Sequence, residues 1–196
     1  MSASGPDAQE TARDSRSGEG YVDLFGRRFF RIADYDRLAP FFMTVVGSGD
    51  PWCFVSSTGG LTAGRVRPDS ALFPYYTDDK VSESAGRTGG LSIMWVRREG
   101  HQPALWEPFA PAPAPGDGAR RTLFKDVLGT TLVFQEVRAD LGLRVRVTWQ
   151  TGSRFGIVRT CELTNIGGQP CDLELVDGFV NVLPAGLDAP VQNRLS

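Results

Sequence analysis

The sequence predicts an all-β fold, an antiparallel sandwich. Three observations carry that expectation. Short runs rich in Phe, Val, Ile, Leu and Trp recur between clusters of Gly, Pro, Asp and Asn, the punctuation of strands and tight turns. Residues 143–150 (LRVRVTWQ) alternate, with Leu143, Val145, Val147 and Trp149 on one side and Arg144, Arg146, Thr148 and Gln150 on the other. That period of two marks a half-buried strand. No segment sustains a helical period over three turns.

The elements follow in order. Residues 1–20 form a polar Ser/Gly-rich tail that cannot bury enough surface to order itself, and one sandwich domain spans 21–196. Residues 25–32 (FGRRFFRI) are the first strand candidate. Residues 41–46 (FFMTVV) and 52–56 (WCFVS) form a pair joined by Gly47-Ser48-Gly49-Asp50-Pro51, which suits a tight turn. Residues 110–118 (APAPAPGDG) favour extended polyproline geometry. The strands on either side look alike, so this tract reads as a loop insertion at the sandwich rim rather than a domain linker. Residues 131–138 (TLVFQEVR) pair with 143–150 through Ala139-Asp140-Leu141-Gly142. A further hairpin joins 156–164 (GIVRTCELT) to 171–182 (CDLELVDGFVNV) through Asn165-Ile166-Gly167-Gly168. That hairpin would bring Cys161 and Cys171 face to face.

Composition narrows the function classes. A chain of 196 residues with 41% hydrophobic content supports one sizeable core, burying roughly 70% of its unfolded surface. It excludes a disulfide-stapled mini-protein, a collagen-like chain and a coiled coil. No run approaches the roughly 18 apolar residues of a membrane span, so a soluble chain without a membrane partner is expected. Lys80 and Lys125 are the only lysines, and Arg supplies the other 19 of 21 basic residues. With a net charge of −2 and no basic stripe interleaved with aromatics, no nucleic-acid partner is expected. Three scattered cysteines without a C-x-x-C pair, and His101 as the single histidine, argue against a zinc site. The first 20 residues lack a secretory apolar segment, which points to the cytoplasm and free thiols.

Catalytic signatures are missing: there is no G-x-S-x-G elbow, no P-loop and no H-E-x-x-H. His101 sits in what reads as an exposed turn. The densest chemistry lies in residues 57–81 (STGGLTAGRVRPDSALFPYYTDDKV). Its substrate-binding candidates are Arg65, Asp69, Tyr75, Tyr76, Asp78 and Asp79. An aromatic face packs against the apolar face of a pyranose while Asp and Arg reach its hydroxyls, and Tyr adds contact area at low entropic cost. The plainer reading has the glycines and Pro74 shaping turns, Phe73 and Tyr75 capping the core, and Asp78 and Asp79 solvated. Glycoside hydrolysis needs two convergent carboxylates. Asp78/Asp79, Glu83, Glu107, Glu174 and Asp177 are available, yet no spacing singles out a pair, and Glu174 and Asp177 fall on opposite faces of a strand. No catalytic residue and no metal ligand is assigned.

Phe41-Phe42-Met43, then Trp52-Cys53-Phe54-Val55-Ser56-Ser57, Gly59-Gly60-Leu61-Thr62-Ala63-Gly64-Arg65 and Ala71-Leu72-Phe73-Pro74-Tyr75-Tyr76-Thr77-Asp78-Asp79-Lys80 resemble the N-terminal region of cellobiose phosphorylase-like proteins. The runs 173–179 (LELVDGF) and 181–187 (NVLPAGL) are similar to that family too, and the resemblance covers about 21–196. It implies a β-supersandwich of the galactose-mutarotase-like type, incomplete here because family sandwiches are longer. In the family this sandwich precedes an (α/α)₆ barrel that carries the general-acid Asp and most of the phosphate and sugar sites. The implied reaction is inverting phosphorolysis of β-glycosides, with inorganic phosphate as co-substrate and no other cofactor. The sandwich supports the barrel, helps form homodimers and lends loop residues to the sugar cleft. No family catalytic motif matches a position in this chain. The chain ends at residues 193–196 (NRLS) without a helical linker or barrel, which implies an N-terminal fragment that is inactive alone. Its expected partners are an oligosaccharide and the C-terminal barrel. A stand-alone glycan-binding module and a non-catalytic scaffold or dimerisation domain are the competing expectations.

Overall fold

A computed structural model describes residues 19–110 and 118–195, without the side chains of Asp78, Ala189, Asn193 and Leu195. The expected polar tail through residue 18, and residues 111–117 of the Pro-Ala tract, lie outside the described residues.

Strands dominate, and every strand pairing is antiparallel. The described residues open with a hairpin of β1 (Glu19–Leu24) and β2 (Arg27–Ala33). Phe25 and Gly26 between them both have positive φ, 52° and 70°, the backbone of a two-residue hairpin loop that matches strand twist. The strand read from Phe25 therefore begins at Arg27. Glu19 and Gly20, read as tail, pair with Ile32 and Arg31. A small sheet follows, built from β3 (Phe42–Thr44), β4 (Pro51–Ser56) and β5 (Leu61–Arg65). The helix α1 (Asp78–Glu83) leads to β6 (Gly89–Arg97) and β7 (Ala104–Trp106). Next come β8 (Ala119–Asp126), β9 (Thr131–Arg138), β10 (Leu143–Gly152), β11 (Gly156–Asn165) and β12 (Asp172–Val180), before the closing helix α2 (Ala189–Leu195).

Six strands form one sheet, in the order β1-β2-β8-β9-β10-β11, while β12-β6-β7 and β3-β4-β5 form two smaller sheets. Cys53, Val55, Leu61 and Ala63 from one small sheet and Met94, Val96 and Trp106 from the other share a single apolar cluster with Leu132, Phe134, Val145, Val147 and Trp149 of the large sheet. The alternation in β10 explains this directly: Leu143, Val145, Val147 and Trp149 are all buried because successive side chains point to opposite faces.

The expected hairpin across residues 165–168 does not form. β11 pairs with β10 along its whole length, from Leu143↔Asn165 to Gly152↔Gly156, whereas β12 crosses to the other layer and pairs with β6, from Asp172↔Arg97 to Val180↔Gly89. The N–H groups of Ile166 and Gly167 both donate to the Gly142 carbonyl, at 2.9 and 3.0 Å, which folds the connection back over the β9–β10 turn. Arg98, beyond the end of β6, donates to the Asn165 Oδ1. Cys161 consequently lies near Ser92 and Cys171 near Asn165, and all three thiols are free.

One buried polar network ties the layers together. Glu136 on β9, 1% exposed, accepts hydrogen bonds from the Trp106 Nε1 (2.7 Å), the Phe109 backbone N–H (2.7 Å) and the Arg121 Nε (2.9 Å). Arg121 also donates to the Ala110 carbonyl, so the same cluster anchors the entrance to the Pro-Ala tract. No helix among the described residues is long and apolar enough to cross a membrane.

Candidate functional site

The β4 strand presents two unlike faces. Cys53 and Val55 point into the core, both fully buried, so Trp52 and Phe54 are directed to the outer face by strand periodicity. There Phe42 of β3 stacks on Phe54 (centroids 5.5 Å, interplanar angle 20°), and Phe54 stacks on Trp52 (5.9 Å, 29°). Tyr75 meets Trp52 edge to face at 5.6 Å. Phe42 and Tyr75 at the two ends are 40% and 44% exposed. The four rings make a stripe along the outside of the small sheet.

Its geometry depends on a missing side chain. Trp52 pairs across the ladder with Gly64, and a Cβ at Gly64 would run into the Trp52 ring and the backbone of Ser70 and Ala71. The ring lies over bare glycine backbone for that reason. The indole Nε1 is buried without a partner among the described residues.

The loop that carries Tyr75 is held at several points. Leu72 and Phe73 donate to the Ala63 carbonyl, and the buried Thr62 hydroxyl donates to the Pro74 carbonyl at 2.8 Å. Gln192 of α2, 3% exposed, accepts from the Tyr75 N–H (3.3 Å) and donates to the Pro68 carbonyl (3.1 Å) and the Leu187 carbonyl (2.9 Å). A single amide therefore grips both ends of the loop.

The six residues singled out in the sequence occupy different stations. Arg65 ends β5, is exposed and faces Asp50 at 3.8 Å. Asp69 lies in the 3₁₀ turn Pro68–Ser70. Tyr75 belongs to the stripe, while Tyr76 beside it is half-buried. Asp79 is exposed on α1; Asp78 opens that helix, and its side chain lies outside those described. Ser82 of α1 meets Ser56 at 3.0 Å, which places α1 at the far end of β4 from the Arg65–Asp50 pair. Five strand steps of about 3.4 Å separate Pro51 from Ser56, so these residues line a strip rather than converge on a point. The sequence places Phe42, Trp52 and Phe54 in strands and assigns them no surface role. Their signal was the aromatic pair on the outward positions of β4, opposite the small, core-facing Cys53 and Val55.

The carboxylates remain dispersed as well. Glu174 pairs with Arg97 at 2.6 Å, and Asp177, on the other face of β12, pairs with Arg159 at 2.8 Å. His101 is exposed, with its Nδ1 beside the Glu99 carbonyl. Among the described residues no group of three or more His, Cys, Asp or Glu gathers as a metal site would require.

Neither the scan of protein-family models nor the search of curated proteins returned a match to this sequence.

Proposed function

We propose that this chain is the N-terminal, sugar-contacting and supporting domain of a glycoside phosphorylase-like enzyme acting on β-linked oligosaccharides, built as a supersandwich of the galactose-mutarotase-like type. The stripe Phe42–Phe54–Trp52–Tyr75 is the observation that supports it. The end rings Phe42 and Tyr75 are exposed, and the outer surface of the packed rings offers apolar area against which the C–H side of a sugar ring could rest. Arg65, Asp50 and Asp69 supply polar groups at one end, where ring hydroxyls would be met. The loops are pinned to a rigid sheet, the usual arrangement for a binding surface. On this reading the working compartment is the cytoplasm, chemistry is carried by a barrel beyond this chain, and inorganic phosphate is the co-substrate.

The test is calorimetric titration of the chain with β-linked gluco-oligosaccharides, alongside assays of the full-length gene product for phosphate-dependent release of sugar phosphate. Saturable binding weakened about tenfold by Tyr75→Ala supports the stripe, the effect of truncating one aromatic contact residue at a binding surface. Flat titrations across the panel, with no phosphorolysis by the full-length product, would sink the reading. Binding without phosphorolysis would favour a stand-alone glycan module.

A scaffold or dimerisation role is supported by a different feature. β12 is an edge strand on which Leu175, Val176 and Phe179 are 48%, 69% and 52% exposed, and unprotected apolar edges invite pairing with another chain. A concentration-dependent dimer abolished by Val176→Lys, with no sugar binding, would favour this role over the first.

A further inference from the structure

An apolar groove of about 490 Å³ opens between β3 and the β1–β2–β8 end of the large sheet. That volume falls within the roughly 300–1,000 Å³ usual for ligand sites. The ladder builds one wall. Tyr21↔Phe30, Phe30↔Lys125 and Ile32↔Leu123 are cross-strand pairs, so by the two-residue pleat these side chains share one face. Phe41 and Met43 form the facing wall. At the deep end Leu123 and Met43 are buried, and Ile32 and Phe41 pack against the main core. The rim is exposed instead, at Tyr21, Val46, Val127 and Leu128, the last at 72%. Backbone bonds fix it: the Val46 N–H donates to the Gly129 carbonyl at 2.9 Å, and the Thr151 hydroxyl donates to the Val46 carbonyl at 2.7 Å.

The charge on the groove is one-sided. Lys125 lines it, and its Cε lies over Gly129, 3.8 Å from where a Cβ would stand there. The Lys125 ammonium has no hydrogen-bond or ion-pair partner among the described residues. Asp126 alternates to the other face of β8, where the Thr131 N–H, the Thr130 hydroxyl and Arg27 already engage its carboxylate. Arg28 adds a second cation, its guanidinium 5.2 Å from the centre of the Tyr21 ring. Apolar walls that end at an uncompensated cation complement a molecule with an apolar body and one anionic end. The segment before β1 has no such chemistry, since residues 1–18 hold no aromatic or branched aliphatic side chain.

We propose that this groove binds an aliphatic carboxylate of medium chain length, tail inward and carboxylate at the rim. The hydrocarbon lies between Phe30, Ile32 and Leu123 on one side and Phe41 and Met43 on the other. The carboxylate accepts from the Lys125 Nζ. Each methylene taken out of water tightens binding by about fourfold, so affinity climbs with chain length until the groove is filled. The groove uses the core-facing side of β3, whereas the stripe uses the outward-facing Phe42. Neither site rests on the other.

The test is calorimetric titration of the 196-residue chain with hexanoate, octanoate and decanoate, each kept below its micelle concentration. Saturable binding is expected, tightening about tenfold for each added pair of methylenes. Lys125→Gln should weaken decanoate about fivefold. Leu128→Glu, at an exposed turn position, should weaken it by a similar factor with the Tm unchanged. Decyltrimethylammonium, with the same tail and the opposite charge, should bind at least tenfold more weakly than decanoate. Tyr75→Ala should leave decanoate binding unchanged, which separates failure of the groove from failure of the stripe. Flat titrations with all three acids, decanoate binding indifferent to Lys125→Gln, or equal binding of decyltrimethylammonium would each overturn the proposal. So would flotation with phosphatidylcholine vesicles, or a concentration-dependent dimer, that is lost in Leu128→Glu and comes without decanoate binding; the face would then belong to a membrane or a second copy.

Discussion

Gly64 carries no side chain because the Trp52 ring and the Ala71 backbone occupy the space where one would stand. Gly64→Ala is therefore expected to push the indole out of the stripe. It should cost about 1–3 kcal/mol of stability through overpacking, read by urea unfolding, and blunt oligosaccharide binding. Asp177 offers a residue-scale test through pH. Burial acts to raise its carboxyl, but hydrogen bonds from Arg159 and Ser92 outweigh burial and hold it below the usual carboxylate range. A carboxyl depressed in the folded state stabilises the fold above its unfolded pKa of about 3.9. That contribution is lost as pH falls through the lower, folded value. Asp177→Asn should lower stability near pH 7 by about 1 kcal/mol, the scale of a hydrogen bond to a charged group discounted for the solvent around a partly exposed carboxylate. It should also flatten the acid limb of a Tm–pH profile; an unchanged limb would show that Asp177 does not hold Arg159 in solution.

At the scale of elements, the loop under the stripe is controlled from α2. Gln192→Ala removes the amide that joins Pro68, Tyr75 and Leu187 and leaves those backbone groups unpaired. The expected cost is about 1–3 kcal/mol, with faster amide exchange across residues 68–76 than in the wild type. This control was invisible in the sequence, since Gln192 lies 117 residues from Tyr75. Other elements were legible. β9 and β10 came from alternation and a short turn, and β3 and β4 from their Gly-Ser-Gly-Asp-Pro connection, because period and turn chemistry are local. β6 escaped because Leu91, Ile93 and Trp95 are apolar on the face opposite Ser92, Met94 and Val96, so its two-residue rhythm is masked. β5 escapes too, because Gly64 and the buried Thr62 break the two-residue rhythm. Within the site, the loop and Tyr75 were found from composition. Trp52 and Phe54 were seen only as strand residues, because stacking between neighbours on a sheet face is not a property of one segment.

Across the whole molecule, the Glu136 network joins β7, β8, β9 and the segment around Phe109. Glu136→Ala would strand the buried Arg121 and the Trp106 indole, and is expected to cost about 3–5 kcal/mol, as breaking a buried ion pair does. Chemical denaturation measures it, and a loss under 1 kcal/mol would mean that the layers are held by apolar packing alone. The destination of β12 is likewise a whole-molecule property. Asn165-Ile166-Gly167-Gly168 is a sound turn signal, yet the strand after it joins β6, 85 residues earlier at the Asp177↔Ser92 pairing. Antiparallel strands with one-sided burial are written into the sequence, because alternation is set by adjacent residues and by the two-residue pleat. Which layer each strand joins, which rings align into a stripe, and whether the six candidate residues lie along a strip or around a point are settled by long-range pairing. Those outcomes depend on pairing between segments far apart in the chain, and no local pattern of residues encodes a partner that distant.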